Sequence, residues 1–182
     1  MRKELYKAIA ERLFLIAADG SMIEPSGGTA GSEAEAAVTQ QHTERLIKHI
    51  DLWNHNVEFL DQEQPWERPA VFVEFTPIVW ETIKPGREYR SKPIVNLHIV
   101  TDWAGDSSAG SELEDESLKV LDYSGIIHKA LHGLEGEHFS RFDLSETHTN
   151  HNHEELLESI EVYRCVATRE FFAERSGKAE RR

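Results

Sequence analysis

Residues 113–134, LEDESLKVLDYSGIIHKALHGL, decide the fold together with the two segments that follow, HFSRFDLS at 138–145 and IEVYRCVATREFF at 160–172. The first segment has apolar residues at helical spacing, and the other two have the composition and alternation of strands. A helix with one apolar face, followed by two strands that are expected to pair antiparallel, is expected to lie across the sheet to which those strands belong. The predicted buried stripe of the helix comprises Leu113, Leu118, Val120, Leu121, Ser124, Ile127, Leu131 and Leu134.

Upstream of this helix the chain has two strong strand patterns. The run AVFVEF at 70–75 is dense in β-branched and aromatic residues, and Val95, Leu97 and Ile99 share one face of the segment 94–103. The turn residues KPGR at 84–87 lie between them and predict a hairpin. Alternation over 50–57 indicates a further, weaker strand.

The N-terminal region has a different pattern. Leu5, Ile9, Leu13 and Ile16 recur at spacings of three and four, which predicts an amphipathic helix over 3–17 that Asp19 and Gly20 end. Residues 20–32 are expected to form a mobile loop, and 33–49 a second helix by propensity. The charged tail 174–182 is expected to be disordered.

These elements predict one α+β domain over residues 1–173. We expect two layers: a mainly antiparallel sheet of about four to five strands, packed by one long helix and one or two shorter ones. The 182 residues and 39% hydrophobic content fit a single core.

Charge limits the classes of partner. Thirty-three acidic against twenty basic residues give a net charge of −13, which disfavours binding to nucleic acid and to anionic membranes. The sequence has neither a run of transmembrane length nor a secretory signal pattern, so a soluble intracellular protein is expected. The single cysteine, Cys165, falls within a strand pattern and is expected to be a small buried hydrophobe.

The string THTNHNH at 147–153 is a candidate metal site. His148, His151 and His153 lie within six positions, and His151 and His153 would share a face of an extended segment. This spacing is not a recognised zinc signature, so a solvated hairpin loop is the favoured interpretation and no cofactor is expected. The remaining histidines share no spacing: His42, His49, His55, His98, His128, His132 and His138.

No catalytic motif is found, and the chain is not expected to be an enzyme. It contains no nucleophile elbow, no dinucleotide turn and no Cys/His arrangement. Glu74 and Asp102 could form a carboxylate pair across the predicted hairpin, but no third supporting group accompanies them. Glu74 is instead expected on the outer face of its strand.

The order of elements resembles the bacteriophage tail-terminator and head-tail completion family, the small neck proteins that cap a long tail tube and join it to the head. The segments that carry the resemblance are the helix at 5–15, PAVFVEF at 69–75, VNLHI at 95–99, IIHKALHGL at 126–134 and EVYRCVA at 161–167. They span about four fifths of the chain in order, and residues 20–49 have no counterpart.

The resemblance implies a structural virion or prophage protein that assembles as a ring, usually a hexamer. Its partners would be further copies of itself, the tail tube protein and a head-completion or connector protein. It would occupy the tail or neck of the virion and the host cytoplasm before assembly. DNA would pass through the channel without sequence-specific binding, and acidic walls would repel its phosphates. An adaptor unrelated to phages, with a similar fold, is the alternative, together with a His-rich metal-binding protein.

Overall fold

The computed structural model describes residues 1–23, 44–57, 66–150 and 156–170. Within these residues the chain forms two helices and seven strands, so the fold is α+β as expected, with more strands than predicted. The elements, in chain order, are α1 (Arg2–Phe14), β1 (His49–Leu52), β2 (Ala70–Phe75), β3 (Trp80–Lys84), β4 (Glu88–Ser91), β5 (Ile94–Asp102), α2 (Glu114–Leu131), β6 (Phe139–Asn150) and β7 (Leu156–Glu170).

All seven strands belong to one mainly antiparallel sheet. Its order is β1-β2-β5-β7-β4-β3, and β6 pairs with the other side of β7. The pair β1 and β2 is parallel, and every other described pair is antiparallel. The long strand β7 therefore organises the sheet, because it pairs with β5 in its first part, with β4 in its last part and with β6 along most of its length.

The predicted pairing of 70–75 with 94–103 is confirmed, but the turn at 84–87 has a different role. Strands β2 and β5 pair antiparallel, with Phe72 opposite His98. The turn residues join β3 to β4, an additional hairpin inserted between β2 and β5. Since β4 pairs with the C-terminal end of β7, this hairpin extends the sheet at that end.

One face of the sheet carries the main core, and both described helices contribute to it. Leu5, Ile9 and Leu13 of α1 are fully buried, as the spacing predicted. Helix α1 ends at Phe14 rather than at residue 17, because Ile16 and Ala17 form bridges with Met22 and Arg45. The helices pack against the sheet side chains Val71, Val73, Val95, Leu97, Ile99, Tyr163, Cys165 and Ala167.

Helix α2 forms as predicted, but half of its predicted stripe is not buried. Val120, Ile127 and Leu131 face the core, whereas Leu113, Leu118 and Leu121 are 44%, 39% and 64% exposed. The reason is that Leu118 and Leu121 lie to one side of the stripe formed by Val120, Ile127 and Leu131, and a helix lying on a sheet buries only one side. The buried side in this part of α2 is marked by Ser117 and Val120.

The closing hairpin is confirmed and is longer than predicted. Phe139 and Phe142 are both buried although a spacing of three places side chains on opposite faces of a regular strand. A register shift between Ser140 and Asp143, where Arg141 has a φ of 59°, resolves this conflict. The bulge turns both phenylalanines into the core.

Two predictions for the polar segments need correction. Residues 44–48 are not helical and His49 begins β1, so the C-terminal part of the predicted helix 33–49 is wrong, and 33–43 lie outside the described residues. Residues 147–150 belong to β6 rather than to a loop. Most of the predicted loop 20–32 and the tail 174–182 also lie outside the described residues. Among the described helices, none has the length and apolarity needed to cross a membrane.

Candidate functional site

Of the three histidines in the His-rich string, His148 lies within the described residues. His148 lies on β6 with its side chain 57% exposed, and its Nε2 is 3.3 Å from Glu146 Oε2. His151 and His153 lie outside the described residues. Across the described parts of the chain, no group of three or more His, Cys, Asp or Glu side chains has an arrangement that could hold a metal ion.

Glu74 and Asp102 are not brought together. Glu74 is opposite Asn96 on β5, six residues from Asp102, which corresponds to roughly 20 Å along the strand. Asp102 Oδ1 is instead 2.5 Å from Arg68 Nε. Cys165 is buried as expected, and this burial raises the pKa of its thiol to about 11.

The densest described cluster of ionisable groups is centred on a residue that the sequence did not single out, His98 of β5. Its Nδ1 is 2.6 Å from Glu158 Oε1, and its Nε2 is 3.3 Å from Glu74 Oε2. The side chains of His98 and Glu158 are only 6% and 1% exposed. Because Glu74 and Glu158 are diagonal neighbours of His98 on β2 and β7, the ring links three adjacent strands.

Two asparagines and a tryptophan complete this charge cluster. Asn96 Nδ2 donates to Glu74 Oε2, and Asn150 Nδ2 donates to Glu158 Oε2, each at 2.6 Å. The Trp53 ring stacks on the His98 imidazole with centroids 3.8 Å apart and planes within 4°. Every polar group of the cluster therefore has a partner, and an aromatic ring covers it.

The geometry of the charge cluster is that of a structural clamp. Each ring nitrogen of His98 already faces a carboxylate oxygen, so in this arrangement neither is free to accept a proton from a substrate. The two carboxylates lie on opposite edges of the imidazole, so they do not converge on one point with it, as metal ligands must.

The sequence contained a partial signal for this cluster. Glu74 and His98 lie on the outer faces of their strands by simple alternation, and the predicted pairing of those strands brings them near each other. The third member was missed because the final strand was predicted to begin at residue 160, whereas it begins at Leu156. Glu158 was therefore not placed in the sheet.

A second buried carboxylate lies on the helix-covered face. Glu161 is fully buried and accepts hydrogen bonds from three hydroxyl groups, those of Ser124 on α2, Thr147 on β6 at 2.7 Å and Ser159 at 3.2 Å. These bonds tie α2 to the closing hairpin. They satisfy the carboxylate and leave no obvious site for a substrate.

Among the clefts that the described residues form, two lie at opposite ends of the sheet. One of about 400 Å³ lies between the start of α1, Trp80 of β3 and the end of β7. The other, of about 230 Å³, lies between Arg68, Asp102 and the first half of α2. Neither cleft is lined by the buried residues His98, Glu158 or Glu161.

Comparison with solved structures gives distant similarity at low sequence identity. No protein-family model matches the chain, and no curated protein matches it. Among solved structures, the chain is similar to a chain of "Virion of native gene transfer agent (GTA) particle", with 11% sequence identity and a TM-score of 0.48. That alignment covers 92% of this chain and 97% of the other. A similarity of this size leaves the function to be argued from the chain's own residues.

Proposed function

We propose that this chain is a structural virion or prophage protein of the tail-terminator kind. It assembles as a ring at the end of a tail tube and joins the tail to the head. Its partners are further copies of itself, the tube protein and a head-completion protein. The chain acts through assembly rather than catalysis, and DNA passes through the ring without being read.

One observation carries the proposal: the described elements have the order and packing that the resemblance implies. An N-terminal helix and a long helix pack on one face of a mainly antiparallel sheet. The chain then closes with the β6–β7 hairpin, which contributes Phe142, Tyr163 and Cys165 to the same core. The segments that carry the resemblance thus form one structural unit.

The electrostatics are compatible with a channel for DNA. The chain has a net charge of −13, and a wall with this sign repels phosphates, so DNA can slide past it. The buried side chains of Glu158, His98 and Glu161 have hydrogen-bond partners within the domain. They therefore serve to hold the strands and α2 together.

The proposal is tested in particles released by the strain that encodes the chain. We expect peptides of the chain in gradient-purified particles, at low copy number relative to the tube protein, and gold-labelled antibody at the junction of head and tail. Deletion of the gene should give tails of irregular length that are not attached to heads, and the wild-type gene should restore normal particles. Intact particles that lack the chain would exclude this function and favour the adaptor alternative.

A further inference from the structure

Exposed large hydrophobic side chains are concentrated in two patches. Seven such side chains occur in the described part of the chain, and five of them fall in these patches. The first, called here the helix patch, comprises Leu113, Leu118 and Leu121 at the start of α2. The second, called here the hairpin patch, comprises Val79 and Ile83 on and beside β3. Clustering of this kind marks an interaction surface more often than scattered exposure does.

The side chains of each patch lie within a short stretch of the chain. Leu118 and Leu121 are three residues apart on a helix, so their side chains are neighbours. Val79, just before β3, and Glu81 are two residues apart and share one face of the hairpin, and Ile83 lies at the register shift between Thr82 and Lys84 with 49% of its side chain exposed. Arg90 is directly opposite Glu81 and adds a positive charge to that face.

The charges around the two patches are opposite. Residues 112–122 contain five acidic side chains and one basic one, a net charge of −4. Residues 79–92 contain four basic and two acidic side chains, a net charge of +2, in a chain whose total is −13. The hairpin is thus a basic segment of an acidic protein, and its charge is complementary to that of the helix patch.

The patches lie at opposite ends of the molecule. The helix patch is near Asp102, which lines a cleft with Glu116 and Lys119 and is paired with Leu156, the first residue of β7. The hairpin patch is at the other end of β7, where Glu88 pairs with Glu170. Fourteen residue steps of β-strand separate these ends, roughly 45 Å, so one copy of the chain cannot bring its own two patches together.

We propose that the basic, apolar hairpin β3–β4 of one copy docks on the acidic, leucine-bearing face of α2 in the next copy. Such a contact is heterologous, since two different surfaces meet, and repetition of a heterologous contact closes into a ring or continues as a filament. The inference rests on the proposed function, for which it identifies the two surfaces that join neighbouring subunits. Val79 and Ile83 become covered by Leu118 and Leu121, and Arg87 and Arg90 approach Glu112 and Asp115.

Disulfide trapping between full-length single-cysteine variants tests this contact. Ile83→Cys is mixed with Leu121→Cys under mild oxidation, and Ile83→Cys with Leu52→Cys is the control, because Leu52 is an exposed leucine like Leu121, with 49% against 64% of its side chain exposed. The native Cys165 is 3% exposed, so the unsubstituted chain is expected to give no cross-link. We expect the 83–121 product to form at least about tenfold faster than 83–52, 83–83 or 121–121 products, as selective docking requires.

Charge reversal adds a second test in the same assay. Arg87→Glu with Arg90→Glu changes the net charge of residues 79–92 from +2 to −2, and Glu112→Lys, Asp115→Lys and Glu116→Lys together change that of residues 112–122 from −4 to +2. When both cysteine partners carry the same reversal, the 83–121 product should fall by about tenfold, because like charges then meet. An acidic hairpin on the Ile83→Cys chain and a basic helix patch on the Leu121→Cys chain should restore the product.

Each other outcome overturns the proposal. Absence of the 83–121 product, equal yield in the control pair, a dominant 83–83 or 121–121 product, or failure of the reversed pair to restore cross-linking each excludes docking of the hairpin on α2. If the chain is nevertheless found in particles at the head-tail junction, only this contact is wrong. If the contact is trapped but particles lack the chain, self-association stands and the virion function is wrong.

Discussion

The two faces of the sheet use different physical means to hold the same strands. The helix-covered face has a continuous apolar core, in which α1, α2 and the closing hairpin bury Ile9, Leu97 and Phe142 completely. The opposite face has a small apolar cluster around Phe72, Val100 and Leu156, with Trp53 packed against it. Beside this cluster lie the buried ionisable side chains of His98 and Glu158.

This difference predicts how each face responds to substitution. An apolar core loses stability in proportion to the volume removed. A buried charge cluster contributes little net stability when intact but is costly to break, since a remaining ion is left without its partner. Single substitutions should therefore be most damaging in the charge cluster, and paired substitutions should recover more there than in the apolar core.

The largest effect is expected for His98→Ala. The Glu158 carboxylate, which is 1% exposed, would keep the hydrogen bond that Asn150 donates to it but would lose its contact with the His98 imidazole. We expect a loss of about 4 kcal/mol in the free energy of unfolding, measured with urea. The double variant His98→Ala with Glu158→Gln should recover part of this loss, because no buried charge then remains. A double variant that loses the sum of the two single losses would show that the pair is not coupled.

The next effect tests the apolar face. Ile9→Ala removes a fully buried side chain from the contact between α1 and the sheet, and we expect a loss of about 3 kcal/mol in the free energy of unfolding. Leu121→Ala is the matched control on α2, since its side chain is 64% exposed. That variant should stay within about 0.5 kcal/mol of wild type. Equal losses for both variants would mean that Leu121 is covered by something other than solvent.

The two faces also differ in how far the sequence could predict them. Alternation identified the side chains of β2 and β5 that face the helices. In each strand every second residue is apolar and buried in the core, for example Val71 in β2 and Val95 and Leu97 in β5. Periodicity failed for part of α2, since Leu118 and Leu121 lie beside the buried stripe and widen the apolar face beyond the part that meets the sheet. Nothing local indicated that Phe139 and Phe142 point the same way, because the bulge that aligns them depends on pairing with β7.

The charge cluster was still harder to predict. His98 and Glu158 are sixty residues apart, and they meet only through the register of β5 on β7. A shift of that register by one residue would turn Glu158 to the other face. The hairpin β3–β4 was hidden for a related reason: its turn signal at 84–87 was clear, but which strands it joins depends on the pairing of β4 with β7.

Tyr163 places a buried hydroxyl group within the apolar core of the helix-covered face. Its ring stacks on Phe142 at 4.7 Å, but its hydroxyl is buried and no described residue forms a hydrogen bond with it. Burial raises the pKa of this phenol. We expect Tyr163→Phe to be neutral or to stabilise the fold by up to about 1 kcal/mol, because it removes an unpaired polar group and keeps the ring. A clear loss of stability in thermal unfolding would reveal a partner for the hydroxyl, such as a buried water.

The smallest effect concerns a second carboxylate–imidazole pair, at the rim of the helix-covered face. Glu4 Oε2 is 2.9 Å from His138 Nδ1, close to the separation in the buried pair, but these side chains are 28% and 44% exposed. Partial burial raises the pKa of Glu4, and the hydrogen bonds and charge of His138 outweigh this effect, so the pKa is lowered from 4.5. A lowered pKa in the folded state stabilises the fold at pH values above 4.5, and this contribution is lost as the pH falls through the folded value.

Glu4→Gln should therefore cost less than about 1 kcal/mol at neutral pH, because solvent screens an exposed pair. The difference from wild type should disappear in acid, since both proteins then carry an uncharged side chain at this position. Chemical unfolding across this pH range measures the effect. A cost at neutral pH as large as that of His98→Ala would mean that distance rather than burial sets the strength of these pairs. A cost that persists in acid would mean that Glu4 acts through hydrogen bonds that do not depend on its charge.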